Sequence, residues 1–442
     1  MNHGAAAIAR RVRTRDVRRA DRSRSWVLLL GVFVLAATSA CASAGPAAPP
    51  PTGVGAVDPG TTDPGTTSPG TTSPATTSPA TTDDDPASDA GARRVLDDAL
   101  GRLLDASGAD GGIVAYRRGD DRPTVVTAGV IDAGGAPMTT ERPFPIASVT
   151  KSFTAALLVD LADDGLVDLD APISTWIDWP DGDRITVRQL LLHTSGLGPW
   201  EASAPHGIFD AALFADLDVN HLLADVVELA RGVAPVGAPG AQTAYSNLNY
   251  VLAGRIAELA GGAPYARLLA DRITGALGLT ATTYPAGDGP TSGAEPLPGT
   301  FEYPAGVLAR TTDFPQRGFV SLMGPSAAAV SNVDDLFTWA DTLFRTRRLG
   351  GTDLASLLRI GPGGTGLGVL GIDAQNGSCV FRGCPDGTTF EYLGLNGEAP
   401  GSAVRLWYDP ATDLTVLVYL NRDGTMLDRS LIELVDRLAS TG

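Results

Sequence analysis

In the stretch "IASVTKSF", Ile146 to Phe153, a serine and a lysine stand three residues apart. The run that follows, "VTKSFTAALLVDLADDG", is helix-like, and on a helix three residues return to the same face, so the amine of Lys151 falls beside the hydroxyl of Ser148. The chemistry this allows is nucleophilic catalysis. A serine hydroxyl attacks poorly until a base removes its proton; a buried lysine with a lowered pKa can be that base, whereas arginine stays protonated. Lys151 is the one lysine of the chain, against 32 arginines. Arginine serves wherever charge alone is wanted, and a site that must release a proton cannot use it. The plainer alternative is an N-capping serine followed by a surface lysine, and the pair taken alone does not decide between them.

Other chemistries find less support. There is no G-x-S-x-G elbow, no H-E-x-x-H and no clustered Cys/His set, so neither a metal nor a cofactor is expected. Of four histidines, His3 falls in the leader, and His193, His206 and His221 lack ligand spacing. His193, in "HTSG", reads as a structural loop histidine rather than a general base.

The elements that must carry the pair begin after an unusual N-terminus. Eight arginines fall within the first 24 residues, followed by the apolar run "WVLLLGVFVLAA", Trp26 to Ala37, and then small residues. Residues 1–40 therefore read as an export signal, too short in its apolar part for the roughly 20 residues of a spanning helix. Cys41 follows directly, where a lipoprotein signal places its acylated cysteine, although Thr38 stands at a position usually aliphatic. Cys379 and Cys384, in "CVFRGC", have a spacing that a turn can close into a disulfide, which an exported protein permits. That leaves Cys41 unpaired, and lipidation is favoured over simple cleavage.

Residues 41–91 are Pro, Gly, Thr, Ser and Asp, with a five-residue rhythm in "DPGTTDPGTTSPGTTSPATTSPATT". Such a segment builds no core and reads as a disordered, extended linker. With a lipid on Cys41 it would tether a folded domain, residues 92–442, on the outer side of a membrane. Beyond residue 40 there are 25 basic and 48 acidic residues, which argues against nucleic acid as a partner. The membrane enters only through the N-terminal anchor.

Within the domain, "GGIVAYRRG" and "RPTVVTAGVID" read as a hairpin turning at Gly119 to Asp121, and "SAVRLWYDPATDLTVLVYLNR" as a second pair of strands around an Asp-Pro turn. "LDRSLIELVDRLAS" closes the chain as a helix, and the middle from Ser148 to about Tyr284 is mostly helical. The expected fold is α+β: one antiparallel sheet from both chain ends, flanked by helices, with an inserted mostly helical lobe.

"FPIASVTKSFTAALL" resembles the active-site segment of the serine β-lactamase and penicillin-binding-protein superfamily, in the branch of class C β-lactamases and D-alanyl-D-alanine carboxypeptidases. "ITVRQLLLHTSGL", "YSNLNYVLAGRIAELAGG", "AAAVSNVDDLFTWADTL" and "GEAPGSAVRLWYDPATDLTVLVYLNR" are similar to its later segments, in the same order. The resemblance runs from Ala92 to Gly442. It implies that Ser148 is acylated, that Lys151 assists its deprotonation, and that Tyr245 passes the proton to the leaving group. Asn247, of the Tyr-x-Asn motif, would hydrogen-bond a substrate amide.

The third motif of that branch, Lys- or His-x-Gly on a strand, departs here. In "YLGLNGEAPG" Leu395 stands at the basic position, followed by Asn396 and Gly397, and the backbone N–H of Glu398 is expected to join that of Ser148 as an oxyanion hole. Arg382, Arg405 and Arg422 are candidates to replace the missing cation. The implied activity is an exported serine hydrolase acting on D-alanyl peptides or β-lactams, with a small molecule or a peptidoglycan peptide as substrate. An esterase of the same family, or an acylated sensor with a degenerate site, stands as the alternative.

Overall fold

The structure is a computed structural model, and it describes residues 86–200, 217–285, 295–302, 308–313, 315–381, 383–424 and 427–440. The expected signal peptide, Cys41, most of the linker, His206 and Arg382 lie outside those residues.

The first helix, α1, spans Pro86–Ser107 and so begins inside the segment expected to be linker. A proline is tolerated in a first turn, where its missing N–H has no helical partner in any case. The hairpin follows as strands β1 (Gly111–Arg118) and β2 (Thr124–Gly129). Its turn is closed by Asp121 N–H donating to Arg118 O at 3.0 Å. From the far end of the chain come β3 (Leu370–Ile372), β4 (Tyr392–Ala399), β5 (Ser402–Asp409) and β6 (Leu414–Leu420).

These six strands form one antiparallel sheet in the order β2-β1-β6-β5-β4-β3. The first hairpin pairs with the last strand, Val114 lying opposite Val418. The sheet is thus built from both chain ends, and the fold is α+β as expected.

Alternation along the strands gives the sheet two apolar faces. Val114, Val416, Val418 and Trp407 face α1 and a C-terminal helix, Asp428–Ala439, which cover one side with Leu100, Leu103, Leu434 and Val435. Ile113, Ala115, Leu406, Leu417 and Tyr419 face the helical lobe. β5 and β6 are buried along their whole length, as strands covered on both faces should be.

The lobe is assembled around α2 (Thr150–Asp163), in which every residue from Thr150 to Val159 is buried. A polar residue at such a place needs a partner. Ser152 Oγ donates to Val149 O at 2.8 Å and accepts from Trp339 Nε1 at 2.9 Å, and Thr154 Oγ1 donates to Pro325 O at 2.7 Å. Three further helices are α3 (Val187–Leu191), α4 (Leu223–Ala230) and α5 (Asn247–Gly261), of which α5 packs on α2 and α3 and α4 pack on α5, while α6 (Val333–Ala340) meets α2 through Trp339, stacked on Phe153.

Candidate active site

Ser148 sits in a single 3-10 turn, Ala147–Val149, that runs directly into α2. Ala147, just before it, has φ +45°, the left-handed region that a non-glycine residue enters at a cost. The turn is held there from two sides. Ile146 N–H donates to Ala329 O at 3.0 Å, and β4 presses on the turn at Gly397, where a Cβ would come within 2.3 Å of Ile146 O. Only glycine permits that approach, and it brings the end of β4 to the turn that holds Ser148.

Lys151 follows within the first turn of α2 and is 4% exposed. Its Nζ lies 2.9 Å from Ser148 Oγ, 2.6 Å from Asn247 Oδ1 and 2.9 Å from Ser326 O. Two of these contacts are with groups that only accept, the amide oxygen and the carbonyl. They take two N–H bonds in either protonation state. The third contact is with a hydroxyl, which can donate or accept. As an ammonium Lys151 donates to Ser148; as a neutral amine it turns its one lone pair to the Ser148 proton. The surroundings therefore aim the amine lone pair at Ser148 Oγ.

Tyr245 reaches the same atom, its hydroxyl donating to Ser148 Oγ at 2.9 Å. It stands just before α5, with Ser246 in extended conformation ahead of the helix. Lys151 Nζ lies 4.9 Å from the ring centroid of Tyr245 and 5.6 Å from that of Tyr250, so two phenol rings flank the amine. Asn247, expected on the substrate, opens α5 and turns its amide oxygen to Lys151.

The loop after α3 supports Tyr245. A capping box starts α3: Gln189 N–H donates to Thr186 Oγ1 at 3.2 Å and Thr186 N–H to Gln189 Oε1 at 3.0 Å. The loop then carries His193 at φ +57° and only 3% exposed. Its backbone carbonyl accepts from Ala244 N–H at 2.8 Å, and its Nδ1 accepts from Ser246 N–H at 3.2 Å. Asn249 Nδ2 lies 3.1 Å from the same nitrogen, and the Asn249 amide is oriented by Ser195 Oγ donating to its oxygen at 2.5 Å. Two donors on Nδ1 require its lone pair, so the imidazole is neutral. Burial, followed by the nearby Lys151 charge, pushes its pKa well below the usual 6.5. The imidazole ring stacks on Tyr245, a role that residue type and spacing did not reveal.

The third-motif residues separate onto the two faces of β4. Leu395 and Gly397 point toward the nucleophile, and Leu395 is 2% exposed in the main core. Asn396 points the other way, its Oδ1 accepting from Trp407 Nε1 at 2.7 Å. Glu398 receives Arg405 Nη2 at 2.6 Å, and Arg405 Nε donates to Asp428 Oδ1 at 3.1 Å. Arg405 also donates to Gly397 O at 3.4 Å. Arg405 is therefore on the face away from the cleft, between two carboxylates, and does not supply the missing cation. Nor does Arg422, whose Nη1 donates to Gly108 O at 2.9 Å, beside the end of α1.

Ser148, Lys151, His193 and Tyr245 line a cleft bordered by β4 at Leu395 and Asn396, whose remaining wall is the segment Thr365 to Leu370. That wall is fixed to α2 at Gly368, φ +73°, where a Cβ would meet Lys151 O at 2.7 Å. Beside it Cys379 and Cys384 form a disulfide, Cα atoms 5.0 Å apart.

Residues 96–440 match a protein-family model described as Beta-lactamase. The esterase EstB of Burkholderia gladioli is 32% identical over 154 residues, 33% of this chain and 39% of that protein. The D-alanyl-D-alanine-carboxypeptidase/endopeptidase AmpH of Escherichia coli K12 is 36% identical over 145 residues, 31% of this chain and 36% of its own length. The matches thus span well under half of either relative. Among solved structures, the D-amino acid amidase of Ochrobactrum anthropi SV3, complexed with L-phenylalanine amide, superposes with a TM-score of 0.64 at 26% identity, covering 80% of this chain and 98% of that one. A penicillin-binding protein from Bacillus halodurans shares the fold, with a TM-score of 0.62 at 23% identity, covering 76% of this chain and 99% of its own.

Proposed function

Because this chain belongs to the beta-lactamase family, whose model it matches over residues 96–440, we propose that it hydrolyses amides or esters of small acyl donors through an acyl-enzyme at Ser148. The observation that carries this reading is the convergence of Lys151 Nζ and Tyr245 OH on Ser148 Oγ, each at 2.9 Å. Attack joins Oγ to the carbonyl carbon as the Ser148 proton passes to the neutral amine of Lys151. The Tyr245 hydroxyl, released from Oγ, gives its proton to the leaving nitrogen or oxygen as that bond breaks. The phenolate recovers a proton from the Lys151 ammonium. Water then repeats the sequence on the acyl-enzyme and frees the acid.

The backbone N–H groups of Ser148 and Glu398 are the proposed oxyanion donors, a reading supported by the approach of β4 at Gly397. D-Alanyl peptides and β-lactams are proposed donors, supported by the likeness to AmpH; esters and D-amino acid amides are supported by the likenesses to EstB and to the amidase. Export and a lipid anchor on Cys41 are proposed from the leader and stalk. Mass spectrometry of native protein tests the anchor: an unmodified Cys41 removes it.

Intact mass after adding a fluorophosphonate or a penicillin, with Ser148→Ala as control, tests the mechanism. A transient adduct with released product, absent from the variant, is expected. A lasting penicillin adduct would instead favour an acylated sensor, the reading that Leu395 at the basic position supports. Turnover retained in Ser148→Ala would sink the proposal.

A further inference from the structure

Resting on that reading of Ser148 and Tyr245, and narrowing its proposed donors to those that release no free amino-acid carboxylate, we propose that the natural substrate releases an uncharged leaving group with an aromatic or branched apolar body, seated on Phe381. Two residues carry the inference, one beside the proton donor and one at the third motif.

The leaving atom must come within hydrogen-bond reach of the Tyr245 hydroxyl to receive its proton. The body of the leaving group therefore extends past the Tyr245 ring. Phe381 is there: its ring centroid is 4.7 Å from that of Tyr245, the planes inclined by 55°, and the residue is 61% exposed. A phenyl group so exposed beside a catalytic hydroxyl offers an edge or face to an apolar ligand group.

Phe381 stands beside the disulfide. It lies between the half-cystines, and their sulfur atoms pack on Gly364, where a Cβ would come 2.8 Å from Cys384 Sγ and 3.2 Å from Cys379 Sγ. Gly364 belongs to a tight turn: its N–H donates to Gly361 O at 2.9 Å, and Gly361 N–H donates to Thr365 O at 3.0 Å. Thr365 lines the cleft and donates through Oγ1 to Leu192 O at 3.0 Å, next to His193. The loop that holds Phe381 is thus tied through covalent and packed links to the segment that backs Tyr245. A wall ordered in advance costs less on binding than one ordered by the ligand.

Leu395 sets the charge requirement. A leaving amino acid such as D-alanine carries a carboxylate, and at the position where a basic side chain would meet it this cleft has a buried leucine, with the buried Val369 also in its lining. Among the described residues lining the cleft, the cation is Lys151, already engaged with Ser148, Asn247 and Ser326. A carboxylate brought in there loses its water without gaining a partner among the described residues.

The test compares three donors with one acyl group: D-alanine benzylamide, D-alanine methylamide and D-alanyl-D-alanine, with benzyl and methyl butyrate as the ester pair. Full-chain wild type, Phe381→Ala and Phe381→Trp are compared by kcat/KM. The benzyl compound is expected to lead in both series, D-alanyl-D-alanine to be the poorest amide, and the benzyl-to-methyl ratio to fall about tenfold in Phe381→Ala and return in Phe381→Trp. An unchanged ratio in Phe381→Ala, whatever the absolute rates, overturns the seat on Phe381. A preference for D-alanyl-D-alanine over the benzylamide overturns the uncharged leaving group. Wild type that turns over no donor in either series overturns this inference, and the reading of Ser148 falls with it only if a fluorophosphonate also leaves no adduct on that residue.

Discussion

The imidazole of His193 lies against the phenol ring of Tyr245, centroids 4.3 Å apart and planes 26° from parallel. The flat contact backs the ring whose hydroxyl donates to Ser148 Oγ at 2.9 Å. It also sets a pH limit. The folded protein holds His193 neutral, with its pKa well below the 6.5 of a free imidazole, so protons bind the unfolded chain more readily than the fold. Stability from this group is complete above about pH 6.5 and is lost as the pH falls below it. The unfolding midpoint in urea is expected to drop between about pH 6.5 and 5 in wild type. His193→Asn, which keeps an acceptor and tolerates the positive φ, should show a flatter profile. Equal slopes in the two proteins would contradict the assignment.

Lys151→Arg is the sharpest test of the base. Arginine keeps the charge but has no lone pair to offer, and its larger head must enter a site where Lys151 meets three acceptors within 2.9 Å. Loss of a positioned base of this kind slows acylation by about 10²–10⁴-fold. Stopped-flow acylation with a chromogenic donor measures it, with circular dichroism confirming the fold. An unaltered rate would remove the amine from the mechanism.

Gly397→Ala places a methyl group 2.3 Å from Ile146 O, a backbone atom that cannot swing aside. β4 must then retreat from the Ser148 turn. A stability loss of about 1–3 kcal/mol is expected from such overpacking, together with a fall in kcat of at least about tenfold through the displaced oxyanion donors. Gly351→Ala, with open space around it, is the control. Matching activities in the two variants would show that the approach of β4 does not matter to catalysis.

Arg405→Met removes a side chain that is 6% exposed and joins Glu398 to Asp428 across the sheet and the C-terminal helix. Glu398 is 41% exposed and Asp428 23%, so water recovers part of what they lose. A destabilisation of about 2 kcal/mol is expected, the scale of hydrogen bonds to charged groups. Because Arg405 also holds Gly397 O, kcat should fall while KM changes little. Denaturant titration and steady-state kinetics read the two effects, and a change in KM alone would place Arg405 on the substrate side.

Legibility in the sequence followed the range of the contact. Ser148 and Lys151 were paired from spacing because three residues along a helix define a separation by covalent geometry. The two hairpins were readable because alternation and turn residues are also local. Their union into one sheet was inferable from the apolar content of both ends, which needed a common partner. The faces of β4 were harder: "LNG" reads as three site residues, but a strand turns successive side chains to opposite sides, so Asn396 goes to Trp407 while Leu395 and Gly397 go to the cleft. Arg405 was a candidate cation until its register opposite Asn396 put it on the far face.

What residue order alone determined, then, is the nearness of Ser148 to the amine of Lys151, the strands at both ends and the cysteine spacing, all of them relations spanning a few bonds or one repeating period. The tertiary structure decided which distant groups meet them: the Ser326 carbonyl on Lys151, the His193 ring behind Tyr245, and Phe381 beside the same tyrosine from far along the chain. Those meetings depend on how buried side chains from separate segments fill shared space. Packing settles that question only when the whole core closes at once.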